Sequence, residues 1–171
     1  MSDKSSRRPI LFVFGDTRSS PIERLLVNQG SELGFETTEH NPLGACGNPD
    51  LVSYTLDIGK IEIPDQSFVV LVTRGVNDVR LLKHISKFKT SYVALIASRL
   101  RWSATKKQLL EAGVSEGFVS KIRAPAGLDI DAFSLEEIAI SILAEIILVR
   151  RTPEKRVKKM RQIPMNVLEI S

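Results

Sequence analysis

The chain has 171 residues, of which 43% are hydrophobic and 26% charged, as in ordinary globular domains. Its one cysteine, Cys46, excludes an internal disulfide and a cysteine-built metal site. The formal net charge is +4, but residues 150–162 carry seven Lys/Arg and one Glu, which leaves 17 basic and 19 acidic residues elsewhere. No apolar stretch is long enough to span a bilayer, so we expect a cytoplasmic protein without a membrane segment.

The first predicted elements are a strand, a loop and a helix. Residues 10–15, ILFVFG, are a continuous apolar run typical of a buried strand. Ser20, Pro21 and Glu23 have the spacing of an N-cap, a first helical residue and a capping box, and the following helix is predicted to end near Gly34. The next segment, FETTEH, predicts a second strand. A loop over 41–50 and a short strand within 51–59 are predicted after it.

Two further apolar runs, SFVVLVT and SYVALIAS, predict buried strands, each followed by a helical pattern. Residues 119–130 predict a strand remnant and a loop. Ser134 and Glu137 form a second capping box before a long helix whose apolar residues make a continuous stripe. This alternation predicts an α/β fold with a doubly wound, mostly parallel, Rossmann-like sheet in a single domain over 10–151. Residues 1–9 are predicted to be a flexible N-terminus and 152–171 a basic tail.

The loop after the first strand lies where such sheets bind phosphate. It contains Gly15 and then Asp16, Thr17, Arg18 and Ser19. Free N–H groups at the helix start and these side chains would suit an anion. The alternative is a strand-to-helix turn that binds nothing. The dinucleotide pattern requires three glycines, so an ordinary NAD site is not supported.

The second half of the chain carries a more specific pattern. The segments SYVALIASRLR, GVSE and RAPAGLDIDAFSLEEIAISILAEIILVRR resemble, in order and spacing, the C-terminal domain of the xanthine dehydrogenase accessory factor family, the XdhC/CoxI proteins. The resemblance covers most of residues 10–151 and is strongest from about residue 91. It implies a Rossmann-like carrier domain that binds the molybdenum cofactor and assists its maturation and insertion into molybdenum hydroxylases of the xanthine or carbon monoxide dehydrogenase type.

The predicted cofactor-binding residues lie at the strand ends. The resemblance implies Ser98, Arg99, Pro125, Gly127 and Asp129, which match the family pattern, and Thr73 with Arg74, which stand where the family has Thr-His. Gly15, Thr17, Arg18 and Ser19 are added because their loop suits an anion. Arg99 suits a phosphate or a pterin carbonyl, and Asp129 suits an N–H or O–H donor. Alternatively, Arg99 pairs with Asp129 or Glu116, and Asp129 holds its own loop.

The implied partners are a molybdenum hydroxylase apoenzyme and a separate chain that supplies the family's N-terminal domain. The apolar last helix favours a homo-oligomer, and nucleic acid binding is not favoured because no aromatic residues accompany the basic tail. Whether the protein is an enzyme stays open, with a carrier favoured. The alternatives are an NAD(P)-binding oxidoreductase domain and a non-catalytic interaction protein with a degenerate pocket. Among single residues, Cys46 is interpreted as incidental, His84 as exposed and Glu145 as a rim or interface residue.

Overall fold

The computed structural model describes residues 8–15, 20–40, 58–75 and 77–151. In chain order, its strands and helices are β1 Ile10–Gly15, α1 Pro21–Glu32, β2 Glu36–His40, a 3₁₀ turn Ile58–Lys60, β3 Phe68–Val72, α2 Asp78–Ile85, β4 Tyr92–Leu95, α3 Arg99–Glu111, α4 Glu116–Val119 and α5 Leu135–Arg151. Several predictions lie outside the described residues. They concern residues 1–7 of the predicted N-terminus, the tail 152–171, the loop residues Thr17, Arg18 and Ser19, the loop 41–50 with Cys46, and the short strand before the 3₁₀ turn.

The strands form one parallel sheet in the order β2-β1-β3-β4. Beyond β4, a parallel bridge joins Ala94 to Arg123, which is the strand remnant predicted from the sequence. All carboxyl ends of the strands therefore lie at one edge of the sheet, where open α/β sheets bind their ligands.

Alternate residues of each strand face opposite sides of the sheet, and both sides are covered. On one side Phe12, Phe14 and their neighbours on β3 and β4 pack against α2 and α3. On the other side Leu11, Val13 and their neighbours pack against α1 and α5. The continuous apolar runs of the strands follow from this double coverage, and the predicted doubly wound α/β fold is confirmed.

Three local predictions differ from the structure. Helix α3 begins at Arg99, one turn earlier than its apolar pattern indicated, because Ser98 acts as its N-cap and accepts the Arg101 N–H at 3.2 Å. The one-turn helix α4 was not predicted. His84, predicted to be exposed, is buried, and its Nε2 lies 2.8 Å from the Ile61 carbonyl oxygen.

None of the described helices is long and apolar enough to cross a membrane. The long helix α5 begins with the predicted capping box: the Glu137 carboxylate accepts the N–H groups of Phe133 and Ser134, at 2.7 and 2.9 Å. These two hydrogen bonds lower the pKa of Glu137. Ser134 completes the box by accepting the Glu137 N–H at 3.2 Å.

Candidate functional site

A cleft of about 510 Å³ opens at the carboxyl end of β4. Its walls are the end of β4 with the first turn of α3, the loop 125–132, and one face of α5 around Ile138 and Ser141. Five of the predicted cofactor-binding residues line this cleft: Ser98, Arg99, Pro125, Gly127 and Asp129. The structure therefore brings the second half of the predicted set together.

Arg99 and Asp129 are both exposed at the cleft. The alternative prediction, in which Arg99 forms an ion pair with Asp129 or Glu116, is not observed. Within the described residues, neither side chain forms an ion pair with the other, and Arg99 forms none with Glu116. Both charges are consequently available to a molecule in the cleft.

The remaining predicted residues have other surroundings. Gly15 ends β1, and a β-carbon placed there would lie 2.1 Å from Oε1 of Glu23, so the chain passes directly over this carboxylate. Glu23 also accepts the Ser20 N–H at 3.1 Å, which uses one of the helix-start donors that a phosphate would need. Thr73 is buried, and Arg74 is exposed beside it; neither lines the cleft.

Thr73 belongs to a polar cluster that the sequence did not reveal. Its hydroxyl donates to Oδ1 of Asp78, whose side chain is only 1% exposed. Oδ2 of Asp78 lies 3.3 Å from Nε of Arg101, and Nη2 of Arg101 donates to the Ile96 carbonyl oxygen. Arg101 lines the cleft, so this cluster connects the loop after β3 with the cleft wall.

Glu145 of α5, interpreted from the sequence as a rim or interface residue, is buried, and that interpretation is wrong. Its Oε2 accepts the Tyr92 hydroxyl at 2.7 Å and the Gly127 N–H at 3.0 Å, and its Oε1 accepts from Nη1 of Arg123 at 3.0 Å. A buried carboxylate needs hydrogen-bond partners. The partners of Glu145 are distant in sequence, so the apolar residues beside it in the chain gave no sign of this role.

The loop that forms one cleft wall is held from two sides. The Ala126 N–H donates to the Leu95 carbonyl oxygen of β4 at 3.1 Å, and the Leu128 N–H donates to the Ser141 carbonyl oxygen of α5 at 3.2 Å. Between them Gly127 donates to Glu145 and has a φ of 96°, the left-handed region that favours glycine. The Ala124–Pro125 peptide bond that enters the loop is cis. The cleft wall is therefore fixed by backbone hydrogen bonds.

A larger cleft of about 1150 Å³ lies near the residues that precede β3 and β4, and Arg123 and Glu145 also line it. The smaller cleft is the candidate ligand site because ligands of parallel sheets bind at the carboxyl ends of strands. No group of three His, Cys, Asp or Glu residues in the described part of the chain is arranged to hold a metal ion.

Burial, the charge of Glu145 and the hydrogen bond to it raise the pKa of Tyr92 well above its ordinary value of 10.0. The neutral phenol is thus favoured in the folded state. Tyr92 contributes stability that is fully present below its unfolded pKa and is lost as the pH rises above that value.

The urea midpoint of the wild-type protein should therefore fall above about pH 10, and we expect Tyr92→Phe to make this fall less steep. An unchanged fall would contradict this assignment. The chain has two tyrosines, so the ionisation of Tyr92 is the 295 nm absorbance that Tyr92→Phe removes, and it should appear only when the wild-type protein unfolds.

Comparison with known proteins identifies the domain. The family model of the XdhC Rossmann domain matches residues 11–146. The chain belongs to this family. As an XdhC Rossmann domain, it is 28% identical over 153 residues to the uncharacterised protein YqeB of Escherichia coli, a match that covers 84% of this chain and 28% of YqeB.

A solved structure shows the same architecture. The XdhC domain described here resembles the crystal structure of a protein described as a xanthine dehydrogenase from Bacillus halodurans, with a TM-score of 0.68 and 26% identity. The match covers 89% of this chain and 45% of the other. The chain thus spans less than half the length of either relative.

Proposed function

We propose that the protein is an accessory carrier that binds the molybdenum cofactor and assists its insertion into a molybdenum hydroxylase of the xanthine dehydrogenase type. One observation carries the proposal: in a domain of the XdhC family, five residues of the family pattern line one cleft at the ligand edge of the sheet. The same observation supports the coarser role of an accessory protein to such enzymes.

The donor set of the cleft fits this cofactor chemically. A pterin offers N–H donors and a carbonyl acceptor, and the cofactor also carries a phosphate. Arg99 and Arg101 supply cationic donors for phosphate and carbonyl oxygens, and Asp129 supplies an acceptor for N–H groups. The bound cofactor would supply the metal chemistry of the client enzyme. The residues of this chain would bind and orient it, and the loop 125–132 would shield one side.

The test is a binding titration of the full chain with molybdenum cofactor released from a donor enzyme, with NADH, NADPH and AMP in parallel. We expect selective binding of the cofactor. Asp129→Asn should weaken it about tenfold, because a charged hydrogen bond is lost. Asp65→Asn serves as the matched control, since Asp65 is exposed in a turn and does not line the cleft.

Three outcomes decide between the candidate functions. Loss of affinity in Asp129→Asn alone would support the carrier and its site. Selective binding of a nicotinamide nucleotide would replace the proposal with an NAD(P)-dependent oxidoreductase domain. A wild-type protein that binds none of the four compounds would favour an interaction protein with a degenerate pocket.

A further inference from the structure

The cleft contains two arginines that differ in how they are held. Arg99 is exposed at the first position of α3, and within the described residues its side chain has no ion-pair partner. Arg101 is 28% exposed in its side chain and is anchored by Asp78 and by the Ile96 carbonyl oxygen. The family pattern predicts Arg99 as a ligand contact, whereas the contacts observed in the structure favour Arg101.

The anchor of Arg101 is itself buried and hydrogen-bonded. Asp78 is almost fully buried at the start of α2, and the Thr73 hydroxyl donates to its other oxygen. The loop after β3 passes close to the arginine, since a β-carbon placed on Gly75 would lie 3.7 Å from Cδ of Arg101. Packing, the ion pair with Asp78 and the hydrogen bond to the Ile96 carbonyl oxygen therefore restrict this side chain before any ligand arrives.

The contacts of Arg101 use Nε and Nη2, which leaves Nη1 for a molecule in the cleft. A guanidinium that is already oriented loses less side-chain entropy on binding than a free one, and partial burial strengthens its attraction for an anion. An exposed arginine such as Arg99 must be ordered by the ligand, and solvent screens its charge.

We infer that Arg101 binds the anionic group of the ligand, a phosphate ester, and that Thr73 and Asp78 position it for this task. The inference deepens the proposed function, on which the identity of the ligand rests. It also gives Thr73, predicted from the resemblance as a cofactor contact, an indirect part in binding.

The test compares two arginines that lie two positions apart. The full-length wild type, Arg101→Lys, Arg101→Gln, Arg99→Lys and Arg99→Gln are titrated with molybdenum cofactor released from a donor enzyme, with NADPH and with inorganic pyrophosphate. We expect Arg101→Lys to weaken binding about tenfold, because lysine keeps the charge near Asp78 but loses the planar fork. Both Arg99 variants should weaken it less than about threefold.

Asp78→Asn distinguishes the orientation of Arg101 by Asp78 from the effect of the Asp78 charge on anion binding. If Asp78 orients Arg101, this variant should weaken anion binding about fivefold although it removes a negative charge near the cleft. If charge alone matters, the same variant should bind anions more tightly, which would overturn the positioning role. Circular dichroism checks that each variant is folded; should Arg101→Gln unfold because it leaves Asp78 buried without its partner, the two lysine variants carry the test.

The outcomes distinguish this inference from the proposed function. Arg101-dependent binding of pyrophosphate or NADPH without binding of the molybdenum cofactor would refute the proposed ligand and support the inference. Cofactor binding that is unaffected by Arg101→Lys, or is lost equally in Arg99→Lys, would refute the inference and leave the proposed ligand standing. A wild-type protein that binds no anion would refute both.

Discussion

Replacing Glu145 with leucine should lower the free energy of unfolding by about 3 kcal/mol, the lower end of the range for a broken buried ion pair. Leucine leaves the Tyr92 hydroxyl, the Gly127 N–H and the Arg123 guanidinium without their acceptor. We choose the lower end because the Arg123 side chain is 36% exposed and can still reach water. The urea midpoint at unchanged m-value would measure the loss.

Two further variants test whether the loss comes from the hydrogen bonds. Glu145→Gln keeps an acceptor for Gly127 and should cost about 1–2 kcal/mol. Glu111→Leu makes the leucine replacement at an exposed glutamate, whose partner Lys107 lies 3.8 Å away at i,i+4, and should cost less than about 0.5 kcal/mol. Equal losses in Glu145→Leu and Glu111→Leu would contradict the buried network.

The same variants should act locally on the cleft wall. Glu145 holds Gly127 directly, so its removal should speed amide hydrogen exchange in residues 126–129 more than in β1. Ile146→Ala provides the comparison, because Ile146 is also buried on the same helix but packs in the apolar core. If Ile146→Ala exposes the loop to the same degree, Glu145 acts only through global stability.

The fold was predictable because its main signals are local. Continuous apolar runs, capping residues and the apolar stripe of α5 depend on neighbours within a few positions, and each corresponds to an observed strand or helix. The start of α3 was missed because its first turn, with Arg99 and Arg101, carries no apolar periodicity. Its N-cap Ser98 was the available signal.

The candidate site was predictable only in part. The resemblance located Ser98, Arg99, Pro125, Gly127 and Asp129, which share one cleft. Glu145 and Arg101 were missed because their roles depend on partners that only the tertiary structure brings close. Tyr92 and Glu145, for example, are 53 residues apart in sequence, but the Tyr92 hydroxyl lies 2.7 Å from Oε2 of Glu145. A glutamate in the middle of an apolar stripe was the one signal in the sequence, since such a residue is buried only with partners.

Replacing Gly127 with alanine should cost about 3 kcal/mol, from two separable causes. The residue has a φ of 96°, and left-handed backbone at a non-glycine residue costs about 1 kcal/mol or more. In addition, the new β-carbon would lie 2.3 Å from Oγ of Ser141 and 3.2 Å from the backbone nitrogen of Ile142. Such crowding adds about 1–3 kcal/mol and pushes the loop away from α5.

The chain offers controls for each cause. Gly113 has a φ of 80°, and a β-carbon placed on it would meet nothing within 4 Å, so Gly113→Ala isolates the backbone term at about 1 kcal/mol. Adding Ser141→Ala to Gly127→Ala removes the closest contact and should recover about 1 kcal/mol, while the backbone term and the contact with Ile142 persist. Urea unfolding of these variants measures both terms. A Gly127→Ala protein no less stable than Gly113→Ala would show that close packing of Gly127 against Ser141 and Ile142 does not confine this loop. The hydrogen bonds of the loop to Glu145, Ser141 and Leu95 would then have to hold the cleft wall alone.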